Sequence, residues 1–389
     1  MTPTPIVVVA FNRPKCLQRI LNSLGNANYL GLDVPLFISV DFSENNNEVL
    51  AVANDFTWKY GEKKVLSHKV NLGLKKHVLK CGSLALEHGS IIVLEDDLLV
   101  APSFYSFALE ALEFTADKNY VGGISLYNHQ TNVQTLTNFS PIEDGFDNWY
   151  FQFASSWGQA WSKKQWKQFL NWYESEPDLN SKPNIPAKVL SWSEKSWLKF
   201  NVAYLIEENK YFLYPKVSLT TNFSEVGTHN PEESTAFQVP MRFGVQNKFT
   251  FSSLDESFST YDAFYENMNL SKHLNIQPKD LCVCLYGYKP TANKKKFLIT
   301  SKKLNFKIVK SFGQSLKPID ANILLNILGD DLFLYNLDKP ESNKFKNNRE
   351  SSILYNTKII VYKDLYYLFY KSTGKKIKSL FKKLAIRKT

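Results

Sequence analysis

The stretch Ser90-Ile91-Ile92-Val93-Leu94-Glu95-Asp96-Asp97 decides how this chain is read. Ile91 to Leu94 has no polar position, so a strand formed there has no face for water and belongs inside a parallel sheet covered on both sides. Three carboxylates then follow without a break. At such close spacing they repel one another unless a cation or a basic side chain compensates. A hard divalent ion, Mg²⁺ or Mn²⁺, suits them, because such ions take carboxylate oxygens together with the oxygens of a bound diphosphate. A solvated acidic turn ahead of a helix fits the same three residues.

The surroundings repeat the pattern. Ile6-Val7-Val8-Val9-Ala10 is another short apolar run, and Leu17, Ile20, Leu21 and Leu24 recur at helical spacing behind it, with Asn12 placed to cap and Gly25 to stop the helix. Pro35 to Val40 predicts a second strand ending at Asp41, Asp55 to Tyr60 part of a helix, and Val65 to Val70 a third strand. Leu74, Val78, Ala85 and Leu86 predict a helix stopped by Gly89, before the strand quoted above. Ser103 to Phe114 reads as a helix and Tyr120 to Leu126 as a strand. Alternating strands and helices imply an α/β fold with an open, Rossmann-like sheet whose ligands sit beyond the carboxyl ends of the strands. Asn12 and Arg13, Asp41, Asn71 and the acidic triplet occupy those ends.

Composition narrows the function. The 389 residues are 44% hydrophobic and 22% charged, enough for one large domain and a smaller addition. Four scattered cysteines form neither a disulfide framework nor a zinc spacing, which fits a reducing compartment. No window approaches the roughly 18 apolar residues of a spanning helix, and no basic leader precedes the first apolar run. The net charge is +10, but Lys371, Lys375, Lys376, Lys378, Lys382, Lys383, Arg387 and Lys388 carry eight of those charges with no acid among them. The body is close to neutral, which argues against a nucleic-acid-binding face on it. From Leu365 to Leu384 the lysines alternate with Leu368, Phe369, Ile377, Leu380, Phe381 and Leu384, the composition of a segment lying on an anionic bilayer or of a solvated basic tail.

Val93 to Tyr105, with its acidic triplet and the Pro102-Ser103 helix start, resembles the inverting GT-A glycosyltransferases that add N-acetylglucosamine to begin complex N-glycans. It also resembles bacterial polysaccharide glycosyltransferases of similar plan. Val7 to Pro14, Ser39-Val40-Asp41 and the Gly-Trp segment Ser155 to Trp161 match in the same order, so the resemblance covers roughly residues 5 to 230. It implies a GT-A fold, a nucleotide-sugar donor of the UDP class and a divalent metal, Mn²⁺ or Mg²⁺. Asp97 would bind the metal, with Glu95 and Asp96 supporting the sugar or metal-bound water. Arg13 would face the phosphates, Asp41 the uracil or ribose, and His77 the nucleotide. Ser191 to Trp197 resembles the tryptophan-flanked segment that carries the general base, which here is Glu194, a residue that also reads as a surface glutamate beside Lys195. Gly227-Thr228-His229 resembles the loop that closes over the diphosphate, and His229 would contact phosphate or metal.

The acceptor implied is a glycan or a lipid-linked oligosaccharide in bacterial surface polysaccharide synthesis. The expected location is the cytoplasm, at the inner face of the membrane, reached through the basic tail. The chain divides in this reading into a GT-A domain over 1–275, an extension over 276–365 and a tail over 366–389. Five of the eight tryptophans fall between Trp149 and Tyr173, where Trp157 and Trp161 suit either a sugar face or the buried side of a helix. Cys282 and Cys284 read as packing on a strand. A nucleotidyltransferase shares the fold and the acids, but Phe11-Asn12-Arg13-Pro14 is not its Gly-rich phosphate loop. A glycan-binding protein with a degenerate site is the non-enzymatic alternative.

Overall fold

The computed structural model describes residues 3–179, 182, 184–223, 237–290, 295–357 and 361–386. They fall into two compact units that divide between Asn343 and Lys344. The first half of the larger unit alternates as the sequence predicts: β1 (Ile6–Ala10), α1 (Pro14–Gly25), β2 (Leu36–Val40), α2 (Asn47–Asp55), β3 (Lys63–Ser67), α3 (Gly73–Gly82), α4 (Leu84–His88) and β4 (Ser90–Glu95). Then come β5 (Leu98–Val100), α5 (Phe104–Phe114), β6 (Val121–Ser125), the two-residue strands β7 (Thr131–Asn132) and β8 (Thr137–Asn138), β9 (Asn148–Phe151) and β10 (Gln159–Ser162). Helices α6 (Lys163–Glu174), α7 (Ala187–Leu190) and α8 (Trp197–Glu207) precede β11 (Tyr211–Pro215), β12 (Thr220–Asn222) and β13 (Thr260–Tyr261).

Nine strands form one sheet in the order β13-β9-β11-β6-β10-β4-β1-β2-β3. β1, β2, β3 and β4 run parallel, and β10 enters antiparallel between β4 and β6. Both faces are covered, as apolar runs without alternation require. Ile6, Val8, Ala10, Ile92 and Leu94 join one core with Leu17, Ile20, Leu21 and Leu24 of α1. Val7, Val9, Ile91 and Val93 join the other, with Trp161, Trp166 and Trp197. The observed fold is the mostly parallel α/β sheet flanked by helices that the GT-A expectation describes.

Several local expectations are corrected. Asn12 does not cap α1: Arg13 occupies that position without a side-chain cap, and Pro14, whose missing N–H costs nothing in the first turn, starts the helix. The second helix is Asn47–Asp55, and Phe56, Trp58 and Tyr60 lie beyond it. The helix expected over Leu74 to Leu86 is two helices meeting at Ser83. Trp157 and Trp161 are not helical neighbours, since Trp161 lies on β10 and Trp157 in the loop before it.

After α9 (Leu270–His273) the same unit carries β14 (Leu281–Cys284), β15 (Phe297–Thr300), β16 (Phe306–Phe312), α10 (Ala321–Leu324) and β17 (Leu332–Pro340). These four strands make a second sheet, ordered β14-β15-β17-β16, over a core of its own that includes Leu281, Val283, Ile299, Phe312 and Leu334. Cys282 and Cys284 pack together against Leu298 on its other face. The second unit holds α11 (Arg349–Thr357) and α12 (Tyr362–Ile386).

Candidate active site

Parallel registry brings the carboxyl ends of four strands to one edge. Val9 pairs with Glu95, Ala10 with Val40, and Val40 with Ser67, so the residues that follow each strand converge. Main-chain bonds carry the registry one residue further: Asp96 N donates to Val9 O at 3.1 Å, Asp41 N to Ala10 O at 3.0 Å, and His68 N to Val40 O at 3.1 Å.

Arg13 reaches from the start of α1 to the acidic triplet. Its Nη2 pairs with Asp96 Oδ1, and its Nη1 lies 3.2 Å from Asp97 Oδ2. The guanidinium is thus a built-in counter-charge for two of the three acids. Burial pushes the Asp96 carboxyl up to about 6, against the pull of Arg13 and the Phe11 amide, while Asp97 adds to the rise. Glu95 is also raised well above its ordinary value, first by burial and then by Asp97 and Asp96, with Arg13 opposing. The Asp97 side chain is 14% exposed, and its Oδ1, like Asp96 Oδ2, is buried without a hydrogen-bond partner among the described residues. A carboxylate oxygen left bare in so acidic a place suits a divalent cation, so the donor set fits the metal that the resemblance implies.

Asp41 and His77 do different work from a bare ligand contact. Asp41 Oδ1 accepts from the amides of Phe42 at 2.9 Å and Leu72 at 2.8 Å, and its Oδ2 from Gly73 at 3.0 Å, which fixes the turn that opens α3. His77 is buried, and its Nε2 lies 2.7 Å from Ser39 Oγ, which is also 3.1 Å from His68 Nε2. Burial depresses His77 to about 4; Asp41 opposes this, while His68 and Lys80 add to it, so the ring is neutral at physiological pH. His68 gave no signal in the sequence, which places it inside the third strand, whereas the strand ends at Ser67 just before it. Asp41→Ala is expected to lower folding stability by about 1–3 kcal/mol, because the Leu72 and Gly73 amides lose their acceptor. Denaturant unfolding checks this; an unchanged midpoint would mean that Asp41 does not hold the turn.

The far side of the edge is built from β5 and β12, which pair antiparallel directly after the triplet. Phe223 N donates to Asp97 O at 3.1 Å, so Phe223 lies against the acidic cluster. Gly227, Thr228 and His229 lie outside the described residues. Where the description resumes, Phe237 packs on Trp157 with ring centres 5.0 Å apart, and its carbonyl accepts from Tyr127 Oη at 2.9 Å. Phe223 therefore sits at Asp97 and Phe237 on an aromatic wall of Trp157 and Tyr127. Gly158, at φ +94°, turns the chain from this wall into β10, and a Cβ there would lie 2.9 Å from Thr220 Cγ2. Tyr127 was not legible as part of the site, because nothing in its local sequence marks it.

Glu194 stands apart from the Arg13 cluster. It lies in the turn between α7 and α8, 73% exposed, with its carboxylate on the buried Lys199 Nζ, which also donates to Trp192 O at 3.1 Å. α8 leads into β11, and β11 runs parallel to β6, so the start of α8 and the turn before it belong to the strand-end side of the sheet. Glu194 is thus a solvent-facing carboxylate held by a buried lysine on that side. Of the Trp-rich stretch, Trp149, Trp161 and Trp166 are core, while Trp157 is partly buried and packs on Phe237.

Residues 6–157 match the family described as glycosyl transferase family 2. No curated protein matches the chain. Among solved structures, Staphylococcus aureus TarS 1–349 in complex with UDP-GlcNAc is 13% identical, with a TM-score of 0.37, over 60% of this chain and 61% of that one. The mannosyltransferase PcManGT from Pyrobaculum calidifontis, in complex with GDP-Man and Mn²⁺, is 12% identical, with a TM-score of 0.34, over 56% and 58%. The chain thus spans about 60% of the length of these structures. The matched segment runs from β1 through the acidic triplet to Trp157, the stretch that builds the strand-end site, and over these residues the chain is similar to glycosyl transferase family 2.

Proposed function

We propose that the chain transfers a sugar from a nucleotide-sugar, of the UDP class, to a glycan or lipid-linked acceptor with inversion at the anomeric carbon, in the synthesis of a bacterial surface polysaccharide. The observation that carries this reading is the bare, buried Asp97 Oδ1 beside an Arg13 already committed to the neighbouring carboxylates. In this reading Asp97 holds a divalent ion, Mn²⁺ or Mg²⁺. When bound, the ion supplies Lewis-acid neutralisation of the departing diphosphate. Arg13 orients Asp96 and Asp97 and faces the phosphates, and Glu95 supports the same cluster. Asp41 and His77 shape the nucleoside side, Asp41 by fixing the turn at Leu72 and Gly73 and His77 through Ser39. His229 contacts the diphosphate or the metal.

Glu194 serves as general base. It takes the proton of the acceptor hydroxyl as that oxygen bonds to the anomeric carbon, and the bond from that carbon to the diphosphate oxygen breaks on the opposite face. Nucleoside diphosphate leaves with the bonding electrons, and the proton remains on Glu194. Incubating the full chain with a panel of UDP- and GDP-sugars and Mn²⁺, with and without chelator, tests the reading. Release of UDP that stops with chelator, and a product of opposite anomeric configuration to the donor, is expected. Turnover confined to GDP-sugars, or a product that keeps the donor configuration, would overturn the donor or the inverting assignment respectively.

A further inference from the structure

Helix α12 runs 25 residues from Tyr362 to Ile386, about 37 Å at 1.5 Å per residue. It is not apolar enough to cross a membrane; no described helix is. Its first turns nevertheless leave large apolar and aromatic side chains in water. Tyr366 is 74%, Phe369 71% and Tyr370 81% exposed, and Tyr362 and Leu365 are exposed beside them. At 100° per residue, positions 362, 365, 366, 369 and 370 share one side of the helix. Tyr367 and Leu368 are exposed elsewhere around the helix, Lys371 falls opposite, and beyond it the sequence mixes Lys375, Lys376, Lys378, Lys382 and Lys383 with Ile377, Leu380, Phe381 and Leu384. After Asp364 no acid interrupts the lysines.

We propose that α12 lies in the plane of an anionic lipid bilayer, its Tyr362–Tyr370 side sunk to the headgroup level and its lysines on the lipid phosphates. Two features select lipid over a protein groove. Tyrosine carries an apolar ring and a polar tip, which suits the boundary between acyl chain and water. A row of lysines with no acid after Asp364 on the helix is complementary to a surface of fixed negative charge. Gly374 adds a consequence, since a glycine within a helix weakens it in water; burying one side in lipid then raises the helix content of this segment. The inference rests on the exposed face of α12 and stands whether or not the donor reading holds. Joined to that reading, it sets the chain at the cytoplasmic face of a membrane, within reach of a lipid-linked acceptor.

The test is flotation of the full chain with vesicles of phosphatidylcholine alone and of phosphatidylcholine mixed with phosphatidylglycerol. Binding is expected to be at least about tenfold tighter to the anionic vesicles and to weaken at high salt. The quadruple change Lys371→Glu, Lys375→Glu, Lys378→Glu and Lys382→Glu is expected to abolish that preference. Phe369→Asp with Tyr370→Asp is expected to abolish vesicle binding altogether, and both variants keep wild-type nucleotide binding. Equal binding by the wild type and both variants would overturn the proposal. So would light scattering that shows a wild-type dimer and a Phe369→Asp, Tyr370→Asp monomer, because the face would then belong to a second copy of the chain.

Discussion

A chain carrying Asp97→Asn is expected to turn over donor about a thousandfold more slowly than the wild type, the scale of losing one charge-stabilising group at a reacting phosphate or oxyanion. The substitution is isosteric, and Arg13 keeps its pairing with Asp96, so the strand ends stay assembled. What disappears is the negative charge on the more exposed carboxylate of the pair, whose Oδ1 has no partner among the described residues. The loss should appear in the metal-dependent rate and leave the unfolding midpoint within about 1 kcal/mol of wild type, since a partly exposed ion pair contributes little. Initial rates of UDP release over a Mn²⁺ titration measure it. A variant that retains wild-type rates would remove Asp97 from the site.

The second large effect is at Glu194. Glu194→Gln is expected to lower the turnover number by about 10²–10⁴, the range for removal of a general base, with donor affinity unchanged. The carboxylate is mostly in solvent, and glutamine keeps an acceptor for Lys199, which retains its bond to Trp192 O. The fold therefore has little reason to change. The split between an unaffected donor dissociation constant and a reduced turnover number is what a merely structural glutamate would not produce. An unchanged rate with acceptor present would return Glu194 to the surface and leave the base elsewhere on the strand-end side.

The parts of the fold that were legible in sequence are those in which one physical requirement dominates. β1 and β4 are buried on both faces, so every position is apolar and no periodicity has to be weighed. α1 has one buried stripe, Leu17, Ile20, Leu21 and Leu24, at the helical period. α2 failed because it buries little beyond Val49 and Ala53, while the aromatic residues after it gave a stronger but misleading signal. Trp58 and Tyr60 pack on Tyr29, with ring centres 5.2 and 4.4 Å away, and Trp58 Nε1 donates to Val34 O at 2.7 Å. They are held by tertiary contacts and not by a helix. Trp161 was ambiguous for the same reason, because an antiparallel strand inserted between β4 and β6 leaves no trace in local spacing.

The site was legible as a set of strand ends and illegible as a network. Arg13, Asp96 and Asp97 are 83 and 84 residues apart in sequence, and only the β1–β4 registry brings them together. That a side chain of the protein itself supplies much of the triplet's counter-charge could not be told from the triplet. The turn held by Asp41 and the Ser39 link between His68 and His77 depend on where β3 ends and α3 begins, which sequence spacing misplaces by a few residues.

Calorimetric titration of the purified chain with UDP, in Mn²⁺ and in chelator, for wild type and Asp97→Asn, tests the central claim most directly. The account predicts that wild type binds UDP with Mn²⁺, and that chelator and the substitution each weaken binding by at least about tenfold, or 1.4 kcal/mol. Binding of equal strength in all four titrations would contradict it.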